Sequence, residues 1–183
     1  MPEPTVTVRM KENAWLMSGR TVRLRAIALG AMSLPKEIGM TQSRYAFVKA
    51  NWHAGIVNGA LTGFCELIPA ESVDVFDVPG AFEMPLLSRD LAATGRYAAV
   101  VAAAFVVDGG IYRHDFVAQA VVDGLMRAGL DTGVPVLSVS LTPHQFRETE
   151  HFLQIYRTHF VEKGREAARA ALMIGRARTA VAA

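Results

Sequence analysis

Tyr97-Ala98-Ala99-Val100-Val101-Ala102-Ala103-Ala104-Phe105-Val106-Val107 carries no polar side chain after its first residue. A run this short and this apolar reads as a strand buried on both faces, as in a parallel sheet covered by helices on each side. Asp108-Gly109-Gly110 ends it. A helix follows over Tyr112–Ala128, with Phe116, Ala120, Val121 and Leu125 on one side. Upstream, Tyr45–Lys49 reads as a strand. Ala54–Ile68 carries Ile56, Val57, Ala60, Leu61, Phe64 and Leu67 at helical spacing and stops at Pro69. Val73–Val78 alternates as a second strand. Pro79-Gly80 breaks it, and a helix runs over Ala81–Thr94 with Pro85 in its first turn and Gly95 at its end. Downstream, Gly133–Ser140 holds a turn and a fourth strand. A last helical region spans Pro143 to about Arg178, with Gly164 a candidate break.

Strands alternating with helices give an α/β chain, a three-layer sandwich around a four-stranded parallel sheet. Ligands of such sheets sit outside the carboxyl ends of the strands. Functional residues are therefore expected in Asn51-Trp52-His53, Pro79–Glu83, Asp108–His114 and Ser138–His144.

Composition narrows the class. The 183 residues suit one domain, and half of them are hydrophobic. Cys65 is the single cysteine, so no internal disulfide forms; within an apolar helix it reads as a buried structural thiol. No run reaches the ~20 apolar residues that cross a bilayer. Residues 1–44 carry seven Lys/Arg against three Asp/Glu, and residues 45–183 twelve against fourteen. The folded part is thus mildly acidic and offers no basic surface to nucleic acid. There is no P-loop, Gly-x-Gly-x-x-Gly, His-Glu-x-x-His or cysteine pair, which disfavours metal and dinucleotide chemistry. Residues 1–43 lack the regular pattern and read as an N-terminal extension, a disordered tail rather than a secretory signal. Codons for Lys36-Glu37 could also spell a ribosome-binding sequence ahead of a start at Met40. The domain proper is 44–183.

Each strand end has its own chemistry. Trp52 either caps the core or offers a platform for a flat heterocycle. His53 is a proton carrier or an ordinary hydrogen-bonded surface histidine. Glu83 accepts bonds from ligand hydroxyls or merely favours a helix start. Gly109-Gly110 lets backbone approach a ligand, the helix beyond offers unpaired N–H groups, and Arg113 adds a guanidinium suited to phosphate. His114 adds proton transfer near neutral pH. Ser138 and Ser140 share one strand face. On the last helix His144, Arg147 and His151 are expected on one side and Phe146, Leu153, Tyr156 and Phe160 on the other.

At these residues the chain resembles lumazine synthase. The resemblance covers Tyr45 to Arg178 and rests on Val78-Pro79-Gly80-Ala81-Phe82-Glu83, Gly109-Gly110, Val134-Pro135-Val136 and Lys163-Gly164. It implies a flavodoxin-like sandwich and a cofactor-free, cytoplasmic transferase of riboflavin biosynthesis. That family condenses 5-amino-6-(D-ribitylamino)uracil with 3,4-dihydroxy-2-butanone 4-phosphate, releasing phosphate and two waters. Carried over by position, Trp52 stacks on the pyrimidine, and Ala81, Phe82 and Glu83 bind the ribityl chain. Phe105, Val106 and Val107 line the ring pocket through backbone groups. Gly110 and Ile111 hold phosphate. Ser138 closes the pocket of a neighbouring subunit, and His151 is the first candidate for the phosphate cation, ahead of Arg147 and Arg157. Two departures stand out: Trp52 replaces the usual Phe, and Arg113, followed by His114, occupies the place of the family's general-base histidine. Both match the branch that assembles decamers from two pentamers. Arg113 and His114 are the expected catalytic residues. The alternative implied function is a weakened paralogue that binds flavin or lumazine.

Overall fold

A computed structural model describes residues 43–109 and 113–182. The expected extension therefore lies outside the described residues except for Ser43, as do the expected Met40 start and Gly110 and Ile111, the residues expected to hold phosphate. The elements are β1 (Tyr45–Ala50), α1 (Ala54–Cys65), β2 (Val73–Val78), α2 (Met84–Ala93), β3 (Ala99–Phe105), α3 (His114–Thr132), β4 (Val136–Leu141) and α4 (Glu150–Ala182).

All four strands are parallel, in the order β2-β1-β3-β4. Every residue of β3 is buried, as its composition requires. Alternation divides the core between two layers. Tyr45, Phe47, Val101, Ala103 and Phe105 pack with α1 and α4. Ala46, Val48, Val100, Ala102 and Ala104 pack with α2 and α3. The chain steps from β1 to β2 on the first face and returns to β3 and β4 on the second, so all three crossovers share one hand. The order reverses between β1 and β3, the point where a crevice opens at the strand ends.

Several boundaries shift for identifiable reasons. Residues Ala81–Glu83 form a 3₁₀ turn, and α2 begins only after it, with Pro85 in its first turn. The buried face of α3 is Ala118, Val121, Leu125 and Ala128, and the helix runs on to Gly133, whose φ of 67° closes it. Phe116, expected in the core, is 63% exposed, and Ala120 is exposed as well. Helix α4 starts at Glu150, not Pro143. The segment before it is held off the helical path, because Phe146 packs on Phe105 and Tyr156 and the Tyr156 hydroxyl donates to the Gln145 carbonyl. His144 and Arg147 consequently share no helix face with His151.

Gly164 is not a break. A Cβ there would lie 2.0 Å from the Ala60 carbonyl oxygen, and one on Gly63 would lie 1.8 Å from that of Val161. The backbones of α1 and α4 touch at reciprocal glycines, a contact that any side chain would push apart. Arg165 of α4 clamps the crossing by bonding Glu66 at 2.6 and 3.0 Å and Glu162 at 2.9 Å.

Candidate active site

The β1–β2 ladder continues past both strands. The Asn51 N–H donates to the Val78 carbonyl at 2.8 Å and the Trp52 N–H to that of Pro79 at 3.3 Å. These bonds fix Trp52 beside the turn after β2. A Cβ on Gly80 would lie 3.1 Å from Cε3 and Cζ3 of the indole, so the ring is seated on the glycine itself. The Gly80 N–H donates to Glu83 Oε2 at 2.9 Å, which ties the turn to the start of α2. Trp52 is 69% and Phe82 55% exposed, while Ala81 is buried beneath them. Trp52 therefore does not cap the core. Two aromatic side chains stand in solvent at the sheet's carboxyl end, next to a carboxylate.

His53 is the one non-glycine residue with positive φ among the described residues, at φ 57° and ψ 34°. A side chain in this left-handed region is uncommon and costs about 1–2 kcal/mol. The turn redirects the chain from β1 into α1, and the half-buried ring packs edge-on to Phe105 at 5.6 Å and Phe146 at 5.8 Å. His53 is a packed aromatic, not the surface residue expected.

At the end of β3, Phe105 and Val106 are buried, and the Val106 N–H is taken by the Leu141 carbonyl at 2.9 Å. Val107 is half-buried. Asp108 Oδ1 then accepts two bonds from His114, the backbone N–H at 3.1 Å and Nδ1 at 2.7 Å. These bonds and the nearby Arg113 guanidinium hold the Asp108 carboxyl below the usual carboxylate range. Arg113 turns elsewhere: it pairs with Asp115 and lies 4.4 Å from the centre of the Phe116 ring. Two neighbouring side chains are thus parted, Arg113 lying on extended backbone just before the helix that His114 begins. The cation is exposed and paired, and the imidazole is half-buried and anchored. Helix α3 packs against the Ala81–Glu83 turn.

Two expected site residues are not joined to this group by any described bond. Ser138 is exposed, three residues before the end of β4, and its hydroxyl accepts from the Ser140 N–H at 3.3 Å. His151 stands exposed in the first turn of α4, its ring against Phe152. Of the cations behind it, Arg157 is paired with Glu150 at 3.0 Å, and Arg147 is exposed in the irregular segment before α4. Cys65 is half-buried, and burial pushes its thiol pKa up, against a reactive role. Among the described residues no three His, Cys, Asp or Glu side chains form a metal-binding group, and no helix is long and apolar enough to cross a membrane.

The sequence reading missed the anchoring role of Asp108 and the packing of His53 against Phe105 and Phe146. The first carried a signal, a carboxylate just ahead of a helix start. The second depends on Phe146, which is distant in sequence.

A sequence profile described as 6,7-dimethyl-8-ribityllumazine synthase matches residues 42–178. The chain is similar to a 6,7-dimethyl-8-ribityllumazine synthase of Rhodococcus erythropolis, 61% identical over 132 residues, 69% of this chain and 85% of the relative. It is also similar to proteins named 6,7-dimethyl-8-ribityllumazine synthase 2. That of Pseudomonas syringae pv. tomato is 53% identical over 69% of this chain and 77% of its own length. That of Bradyrhizobium diazoefficiens is 52% identical over 69% and 79%.

Proposed function

The chain belongs to the 6,7-dimethyl-8-ribityllumazine synthase family, and from that premise we propose that the crevice between Trp52, Phe82, Glu83 and His114 is where its reaction occurs. The enzyme is a transferase of riboflavin biosynthesis, condensing 5-amino-6-(D-ribitylamino)uracil with 3,4-dihydroxy-2-butanone 4-phosphate. The observation that carries the site assignment is the Trp52 indole, seated on Gly80 with its free face in solvent beside Glu83. A flat pyrimidine stacks on such a ring, and its polyol chain runs along Ala81, Phe82 and Glu83, where the carboxylate accepts hydroxyl bonds. Phe105, Val106 and Val107 wall the ring pocket.

Gly110 and Ile111 hold the phosphate of the second substrate. Arg113, always protonated, polarises the carbonyl and steadies the leaving phosphate. It exchanges Asp115 for the ligand when substrate arrives. Because the amine is already nucleophilic, much of the acceleration comes from holding two substrates together. Ser138 and His151 serve the pocket of a neighbouring copy. Supporting that arrangement, β4 is an edge strand with Ser138 exposed, and α3 leaves Phe116, Met126 and Leu130 in solvent. The assembly is a pentamer, paired into a decamer, in the cytoplasm, with no partner other than copies of itself and its small-molecule substrates.

Mixing the two substrates with purified protein and following lumazine absorbance tests the reading. Turnover that falls in Trp52→Ala supports it. A wild-type protein that binds lumazine but forms none overturns it.

A further inference from the structure

The pair Asp108–His114 answers a question that Arg113 leaves open. An arginine at the expected base position cannot accept a proton at working pH, so another group must carry it. We propose that Asp108 is a positioning residue that makes His114 the proton carrier, by fixing which ring nitrogen is free and where it points.

One carboxylate oxygen, Asp108 Oδ1, takes both the backbone N–H and Nδ1 of His114, at 3.1 and 2.7 Å. An ionised carboxylate only accepts, so Nδ1 must be the donor and the neutral ring carries its proton there. The lone pair is then on Nε2, on the side of the ring away from Asp108. Two bonds from one oxygen also remove the ring's freedom to turn about the helix start. A base oriented by a third group is the arrangement that general-base catalysis uses elsewhere. The charged groups around the imidazole leave it to Asp108. Arg113 is engaged by Asp115, and Glu83, on the turn packed against α3, is bonded to the Gly80 N–H.

This inference rests on the lumazine synthase reading of the site. When the amine nitrogen adds to the carbonyl carbon, a C–N bond forms and the nitrogen holds one proton too many. Nε2 takes that proton, giving an imidazolium whose charge faces Asp108. It then returns the proton to the alkoxide left on the former carbonyl oxygen, giving a neutral carbinolamine. In a second cycle Nε2 takes the remaining N–H proton and gives it to the hydroxyl, which departs as water as the carbon–oxygen bond breaks and the C=N bond forms. No oxidant or further reactant is needed.

The test compares wild type, Asp108→Asn, Asp108→Ala and His114→Gln in the full chain. It measures kcat and KM for both substrates across pH 5 to 9, with thermal unfolding of each protein. The expected result is a kcat about 100-fold lower in His114→Gln, with KM changed little. Asp108→Asn keeps an oxygen for the His114 N–H but loses the charge. It is expected to move the acidic limb of the kcat profile to lower pH and to lower kcat about 10-fold. A role confined to capping α3 predicts the opposite: a lower unfolding temperature in Asp108→Ala, with an unmoved pH profile in both Asp108 variants. That outcome, or full activity in His114→Gln, overturns the proposal while wild-type turnover still stands. A wild type without turnover overturns the underlying reading instead.

Discussion

The layer built by α1 and α4 is locked by backbone against backbone, whereas the layer built by α2 and α3 is held through side chains. On the first face Gly63 and Gly164 leave no room for even a methyl group. On the second, the tight spot is Gly124 against the Pro85 ring, where a Cβ would lie 2.9 Å from side-chain carbons. Each layer carries half of the crevice. Trp52 and His53 lead into α1, while Glu83 and His114 open α2 and α3. The Trp52 backbone thus joins the layer that cannot shift, while the ring's seat on Gly80, Glu83 and His114 belong to the one packed through side chains.

The largest test of this contrast is a single methyl. Gly63→Ala is expected to destabilise by about 3 kcal/mol, and Gly124→Ala by about 1 kcal/mol, since a Cβ would lie 1.8 Å from backbone at the first and 2.9 Å from the Pro85 ring at the second. Thermal unfolding of both variants measures it. Equal losses would erase the difference between the layers. Next is Trp52→Ala, expected to raise KM for the pyrimidine about 10-fold, in line with the ~1–3 kcal/mol of aromatic stacking on a base. Because the ring is exposed, unfolding temperature is expected to stay within about 1 °C. A large stability loss would make Trp52 structural after all.

Glu83→Ala is expected to cost about 1 kcal/mol through the lost bond to Gly80. It also weakens ribityl binding, a combination of effects that Trp52→Ala lacks. The smallest effect belongs to the Glu66–Arg165–Glu162 clamp. Arg165 holds both carboxyls below their ordinary range. Their folded pKa values are depressed, so the stabilisation is present at neutral pH and is lost as pH falls from about 4.5 through the folded values. Glu66→Gln is expected to lower the unfolding temperature slightly at pH 7 and not at all near pH 3. A difference that persists at acid pH would refute the ionic account.

Most of the architecture was legible because β3 is apolar on both faces and β2 and β4 are bounded by Pro or Gly. Local pattern failed where tertiary contact overrode it. Pro143–Thr149 has helical spacing, yet Phe146 is drawn into the cluster around Phe105, and the last helix starts seven residues late. Phe116 looked like core because its spacing to Ala120 fits a helix face; the sheet instead takes Ala118 and Val121. Gly164 looked like a break because sequence alone cannot distinguish a glycine that ends a helix from one that admits another helix. At the site, the strand-end rule pointed to Trp52, Glu83 and His114, each just after a strand. It could not reveal that Asp108 would choose between adjacent side chains, because that depends on where a carboxylate six residues upstream points.

The seat of Trp52 on Gly80 also makes the protein its own optical instrument. The chain has two tryptophans, and replacing Trp15 leaves Trp52 as the sole indole emitter. Its own backbone leads into α1, while the surface it lies on belongs to the turn before α2. Its emission therefore reports the register between the two halves of the sandwich as well as the arrival of a ring on its open face. Titration with a lumazine should quench it directly. Loosening the helix crossing at Gly63 should shift its wavelength with no ligand present.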